Sequence, residues 1–364
     1  MTTEQRALHL AKSSESFAEY LGEFSANDLI DWVTHELGHP EALDDFQQVG
    51  DILTKPLPPK HLLHIISGNT PHAGLQSLLR GLLIGAKNTI KLPSVGAERR
   101  ADRASILPEI HAFHKTLPSQ LQQLCDFTYE LSDDLLASAD TIIAIGSDTS
   151  ISAIHARLNA GQRFIPHGHK ISFALIDQPS LKNAQLAAVD ASLFDQQGCL
   201  SPHAIYVKRD AEKFAPMLAK AMASYASRDP RSKITISESG AIRNLRETVR
   251  YQAALDPENY QLHESEGNTD WTVIYENDST LRPSPQNRTI YVRPWPSDLA
   301  ELGNETKFLS TIALSPLPAL LKEVENLTAP RICQLGKAQQ PHLFWHHDGF
   351  AALASLVTWQ DIHL

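Results

Sequence analysis

The chain has 364 residues, 42% of them hydrophobic and 20% charged, with a net charge of -10. That length predicts two domains, and the acidic balance excludes nucleic acid as a default partner. No stretch approaches the ~20 apolar residues needed to cross a bilayer and no basic segment leads into an apolar run, so the expectation is a cytoplasmic protein without a membrane span.

Residues 1–50 read as amphipathic helices, stopped by the proline-rich "TKPLPPK" of 54–60. From residue 61 "HLLHII" reads as a buried strand and "SGNTP" as a turn. "HAGLQSLLRGLLIGAKN" is a helix with Leu75, Leu78, Leu79, Leu82 and Leu83 on one face, Thr70 as N-cap and Pro71 at its first position. "TIKLPS" (89–94) is the next strand and completes a βαβ unit. Helices over 98–124 follow, broken at Pro108 and Pro118. The pattern recurs in "DTIIAIG" (140–146) and the helix opened by "SDTSISAIHARL", which predicts a doubly wound parallel sheet with ligands at the carboxyl ends of its strands. After "RFIPHGHKISFALI" come a helix near 180–194, a turn at Cys199, a strand near 204–208 and a helix near 211–226. In the less legible 228–320, "WTVIYE" and "TIYVRPW" read as strands.

Cys125, Cys199 and Cys333 are far apart and odd in number, which argues against a disulfide framework and a zinc cluster and predicts no metal site. A free cysteine is most often a small buried side chain, the role expected of Cys125 and Cys333. Cys199 differs in following Gly198, whose conformational freedom suits a turn that presents the sulfur and the Cys199 N–H to one cleft, half of an oxyanion hole. Asn69 in "SGNTP" either supplies the second donor or closes an Asx-turn before the helix. Gly146 and Ser147 make either an anion-binding strand-turn-helix or an ordinary helix cap. Lys91, at a strand end, is either a cofactor contact or a solvated edge residue.

These motifs carry a resemblance. "SGNTPHAGLQSLLRGLLIGAKNTIKLPS", "IAIGSDTS" and "QQGCLSPHAIYV" resemble, in order and spacing over about 150 residues, segments of the aldehyde dehydrogenase superfamily. With "RFIPHGHKISFALI" and the closing "WHHDGFAALASLVTW" they resemble more narrowly the acyl-CoA reductases related to the fatty-acid reductase of bacterial bioluminescence. The resemblance implies an aldehyde dehydrogenase-like α/β fold of two doubly wound, Rossmann-like lobes with parallel sheets. Its parts are a cofactor domain with N-terminal helices (1–165), a catalytic domain (166–345) and a C-terminal segment closing the site (346–364). It implies NADPH-dependent reduction of an acyl-CoA or carrier-bound acyl thioester to the aldehyde, with NADH as the alternative cofactor. Cys199 is then the nucleophile, Asn69 the oxyanion donor, Lys91 a ribose contact, Gly146 with Ser147 the pyrophosphate turn, and Ser94 lies near the 2′-phosphate position.

The departures from the superfamily matter as much. Where oxidising members carry a glutamate that activates water, this chain has "PHGHK" (166–170), which favours reduction over hydrolysis and offers His167 or His169 as acid/base. No match to the late glutamate motif that grips the nicotinamide ribose is found over 270–320. "WHHDGF" either closes the site through His347 or Asp348 or caps a C-terminal helix. The short segment 51–60 leaves little room for the superfamily's oligomerisation hairpin, so a homo-oligomer is left open, as is an acyl-protein synthetase subunit as partner. Two rivals stand beside this reading: an acyltransferase using Cys199 without a redox step, and a catalytically silent partner subunit.

Overall fold

The N-terminal helices start where the sequence supplies reciprocal caps. Thr2 accepts from the Gln5 N–H and the Gln5 side chain answers the Thr2 N–H, opening α1 (Thr3–Ser14). A single turn, α2 (Ala18–Leu21), precedes α3 (Ala26–Leu37), which Ser25 and Asp28 cap in the same way. In this computed structural model, which describes residues 1–68, 71–93 and 106–363, the chain then forms an antiparallel hairpin, β1 (Gln47–Val49) and β2 (Ile52–Leu57). The prolines of 54–60 end helical structure as expected. The room denied to a hairpin is nevertheless found, because it begins at residue 47, upstream of the segment considered.

A parallel sheet follows, built from β3 (His61–Ile65), α4 (Pro71–Leu83), β4 (Lys87–Lys91), α5 (Ile106–Thr116), α6 (Ser119–Gln122), β5 (Cys125–Thr128), α7 (Asp133–Ser138), β6 (Thr141–Ile145), α8 (Asp148–His155) and β7 (Arg163–His167). Its strand order is β5-β4-β3-β6-β7, every pair parallel. The chain winds outward from β3 to β5 and then restarts on the other side with β6, which puts the topological switch point between β3 and β6. The five leucines assigned to the inner face of α4 are all fully buried. Pro108 does not break its helix, since it lies within α5. Thr70, Asn69 and Ser94 lie outside the described residues.

One buried polar contact ties α4 to this sheet. His64 of β3 bonds Ser77 Oγ through Nδ1 (2.7 Å) and Asn88 Oδ1 through Nε2 (2.9 Å), and complete burial pushes its pKa down to about 4, so the ring is neutral. Gly81 lets α4 approach, since a Cβ there would stand 1.9 Å from Asn88 Oδ1.

The second unit contains β8 (Ile171–Ile176), α9 (Leu181–Ser192), β9 (Pro202–Val207), α10 (Ala211–Arg228), α11 (Ile236–Leu255), β10 (Tyr260–Glu264), β11 (Thr272–Glu276), β12 (Thr289–Pro294), β13 (Leu309–Ser315), α12 (Leu317–Val324) and β14 (Arg331–Gln334). Its sheet runs β10-β11-β12-β9-β8-β13-β14, parallel except for the β10 edge. The central strands β8 and β9 are buried at every position, as strands covered on both faces must be. Both strands read from 228–320 are present, as β11 and β12.

The chain divides at 169/170 and again at 341/342: Met1–His169 with His342–Leu364 form one unit and Lys170–Pro341 the other. The boundaries read from sequence, 165/166 and 345/346, fall four residues early and four late, and the C-terminal segment is part of the first unit, where β15 (Thr358–His363) pairs antiparallel with β2. Among its described residues that segment contains no α-helix for "WHHDGF" to cap, but a short 3-10 turn and β15. Among the described residues no helix is long and apolar enough to cross a membrane.

Candidate active site

In the second unit the nucleophile candidate sits between α9 and β9. Ser180 caps α9, which carries buried alanines along the sheet and stops at Ser192. The chain then turns through three successive left-handed residues, Phe194 (φ 53°), Asp195 (φ 54°) and Gln196 (φ 61°). The freedom expected of Gly198 is thus used earlier, by residues that are not glycine. Gly198 and Ser201 close a turn (3.0 Å) around a half-buried Cys199, whose carbonyl accepts from Ser172 Oγ of β8 at 2.6 Å.

Arg331, on β14, lies within electrostatic reach of Cys333, Asp190 and Cys199, and burial holds its own pKa below the ordinary value. The other two cysteines are in settings that suppress reactivity: burial pushes Cys125 up to about 12 and Cys333 up to about 11. Nothing in the local sequence announces Arg331, because it enters from a strand more than a hundred residues away.

In the first unit, Lys91 ends β4 and Gly146 follows β6, so the two flank the switch point at the carboxyl ends of the strands. Lys91 is half-buried, and burial lowers its pKa. Ser147 caps α8, accepting from the Ser150 N–H (3.2 Å). Asp148, in the first turn, turns its carboxylate to the His169 N–H (2.7 Å), and Gly168 is required there because a Cβ would come within 2.4 Å of that oxygen.

His167 ends β7 and is buried. Its Nδ1 donates to Asp348 Oδ2 at 2.7 Å, its ring stacks on His347 with centroids 4.0 Å apart and planes at 13°, and Phe350 meets it edge-on. With Nδ1 donating, the neutral ring carries its lone pair on Nε2. Arg80 of α4, fully buried, lines the same small cavity and is drawn electrostatically toward Glu36 and Asp348, although burial pushes it down to about 10. Ligand atoms of His167, His347 and Asp348 lie within 4.8 Å of one another, a donor set that suits a transition metal. Two nearly parallel stacked rings share no common plane, however, so one ion cannot lie in the plane of both. The arrangement is that of a carboxylate orienting an imidazole. The segment bearing Asp348 is fixed by Glu36, whose carboxylate accepts the N–H groups of Ala352 (3.1 Å), Leu353 (2.6 Å) and Ala354 (2.9 Å).

The structure therefore groups the predicted residues by unit: Lys91, Gly146, Ser147, His167 and His169 in the first, Cys199 in the second, with Asn69 and Ser94 outside the described residues. The class is an aldehyde dehydrogenase-like α/β fold. The chain is similar to an NAD-dependent benzaldehyde dehydrogenase from Corynebacterium glutamicum (TM-score 0.65, 14% identity, covering 100% of this chain and 86% of that one). It is also similar to an aldehyde dehydrogenase C variant from Pseudomonas syringae solved with NAD+ and octanal (TM-score 0.69, 13% identity, 100% and 85%). The sequence narrows the class: residues 4–359 match the acyl-CoA reductase (LuxC) family, and the chain belongs to that family. A long-chain acyl-protein thioester reductase of Aliivibrio fischeri is 25% identical over 348 residues, 92% of this chain and 70% of the relative.

Proposed function

We propose that this protein reduces a long-chain acyl thioester to the aldehyde with NADPH, through an acyl thioester on Cys199. The observation that carries the reading is the half-buried Cys199 on a braced turn near Arg331, in a chain of the LuxC family. The name of the Aliivibrio fischeri relative, a long-chain acyl-protein thioester reductase, supports a long acyl chain and a protein-bound donor. An acyl-CoA offers the same thioester, and an acyl-protein synthetase subunit is the class of partner that would load the former.

The residues present fit a nicotinamide dinucleotide. Among the described residues a Cβ on Gly146 would meet Ser150 at an ordinary 3.7 Å, and Gly146 is not at positive φ, so the packing of those residues does not demand glycine there. The space is left for a ligand to approach the backbone, beside the capped start of α8 and with Lys91 on the neighbouring side of the switch point. When bound, the reduced cofactor supplies the hydride.

The chain's residues do the rest. The Cys199 thiolate attacks the thioester carbonyl, forming its own C–S bond as the donor thiolate leaves, with the oxyanion held by the Cys199 N–H and Asn69. After hydride addition, collapse of the thiohemiacetal breaks the C–S bond, releases aldehyde and regenerates the thiolate. His167 is the acid/base of this reading, and the bond of its Nδ1 to Asp348 supports it over His169 for that role.

The test is incubation with a chain-length series of acyl-CoAs and either reduced nicotinamide, following cofactor absorbance, aldehyde, and the intact mass of the protein. Wild type should consume NADPH and release aldehyde in equal amounts, whereas Cys199→Ser should bind NADPH and release none. Acylation without loss of NADPH would establish a transferase instead, and absence of acylation a silent subunit.

A further inference from the structure

The second unit contains an arrangement that the proposed chemistry does not by itself account for. The left-handed run Phe194–Asp195–Gln196 is faced by a second one, Gln286 (φ 59°), Asn287 (φ 55°) and Arg288 (φ 63°), again without a glycine. Side chains with a Cβ rarely adopt this backbone, and three in succession persist only where the surroundings over-determine them.

Here the two runs hold each other. Arg288 pairs with Asp195 (Nη2 to Oδ1, 2.8 Å), both side chains being more than nine-tenths buried. Gln196, fully buried, accepts from the Thr289 N–H (2.8 Å) and donates to the Thr289 carbonyl (2.9 Å) and the Pro202 carbonyl (2.8 Å). Gln197 donates to Asn287 Oδ1 (3.0 Å). Arg288 is steadied in turn by the Asp229 carbonyl (2.7 Å) and by the Tyr225 ring (5.2 Å). The bonds to Pro202 and from Gln197 bracket Gly198–Ser201, so the clamp grips the Cys199 turn on both sides.

We propose that Asp195 and Arg288 are positioning residues for Cys199: their ion pair locks the facing left-handed runs and so fixes the turn that presents the thiol. This rests on Cys199 as nucleophile, but the position of the thiol is measurable without turnover. A buried pair whose only duty was stability would have no reason to be joined to strained backbone directly before the cysteine. Without the clamp the run relaxes, the half-buried sulfur becomes more accessible, and its alignment for attack on a carbonyl is lost.

The experiment uses the full chain as Asp195→Asn, Arg288→Lys and the milder Gln197→Met, which removes only the bond to Asn287. Two rates are read site by site by peptide mass spectrometry: alkylation by iodoacetamide at Cys125, Cys199 and Cys333, and acylation of Cys199 by an acyl-CoA. The expected result is alkylation about 5-fold faster at Cys199 alone and acylation at least about 10-fold slower, with Gln197→Met changing both in the same directions by less. Equal acceleration at all three cysteines, or wild-type rates at Cys199 in folded variants, would overturn the proposal. If wild type forms no acyl-Cys199, the functional reading fails, and the alkylation pattern alone decides whether the clamp positions the thiol. If Asp195→Asn or Arg288→Lys does not fold, Gln197→Met decides.

Discussion

His167 and Asp348, 181 residues apart in the chain, share a 2.7 Å hydrogen bond with side chains only 6% and 3% exposed. The bond fixes which imidazole nitrogen carries the proton. Asp348 sits at φ 53°, a backbone that asparagine also tolerates. Asp348→Asn should therefore fold, yet allow the His167 ring its other tautomer. Steady-state kinetics should show kcat lower by about 10²–10⁴-fold, the range of general acid–base catalysis, with KM little changed. An unaltered kcat would remove His167 from the mechanism.

The partly buried Lys91 should contribute to cofactor affinity. Lys91→Ala should weaken NADPH binding by about 10- to 100-fold, the scale of a hydrogen bond made by a charged group at about 1.5–3 kcal/mol. Fluorescence titration of the cofactor would check this, and equal affinity in the two proteins would move the site elsewhere.

Acid should destabilise the first unit through His64. Its pKa is about 4 in the fold against 6.5 for an ordinary histidine, so the unfolded chain binds more protons across that interval. Its stabilising contribution is present in full above pH 6.5 and is lost as pH falls toward 4, by about 1.4 kcal/mol per pH unit. His72, pushed down to about 4 by burial, adds in the same direction. Urea unfolding at a series of pH values should show the slope, and His64→Gln should reduce it.

Gly81→Ala reverses the usual expectation for a helix, where alanine gains about 1 kcal/mol over glycine. The new Cβ would occupy the position of Asn88 Oδ1, and Asn88 cannot yield without releasing His64 and its own bond to the Ala86 carbonyl (2.7 Å). A net loss of about 2–4 kcal/mol is expected by denaturant or thermal unfolding.

Much of the first unit was legible because local rules are enough for it. The α4 leucines follow the helical period, β3 and β6 are short apolar runs, and Ser147 is a recognisable cap. The hairpin at 47–57 was missed because its proline-rich strand reads as a break and its third strand, β15, comes from the other end of the chain.

By itself the sequence determined the βαβ order, the apolar faces, the family, and which cysteine follows the glycine turn, all of which depend on residues close together in the chain or on motif order. The tertiary structure decided what those residues meet. It brought Asp348 to His167, Arg331 within reach of Cys199, and Arg288 to Asp195, and it placed the left-handed backbone on Phe194, Asp195 and Gln196 instead of Gly198. Such pairings arise from strand order and from burial that leaves a polar group few partners. No periodicity or spacing in one chain encodes them.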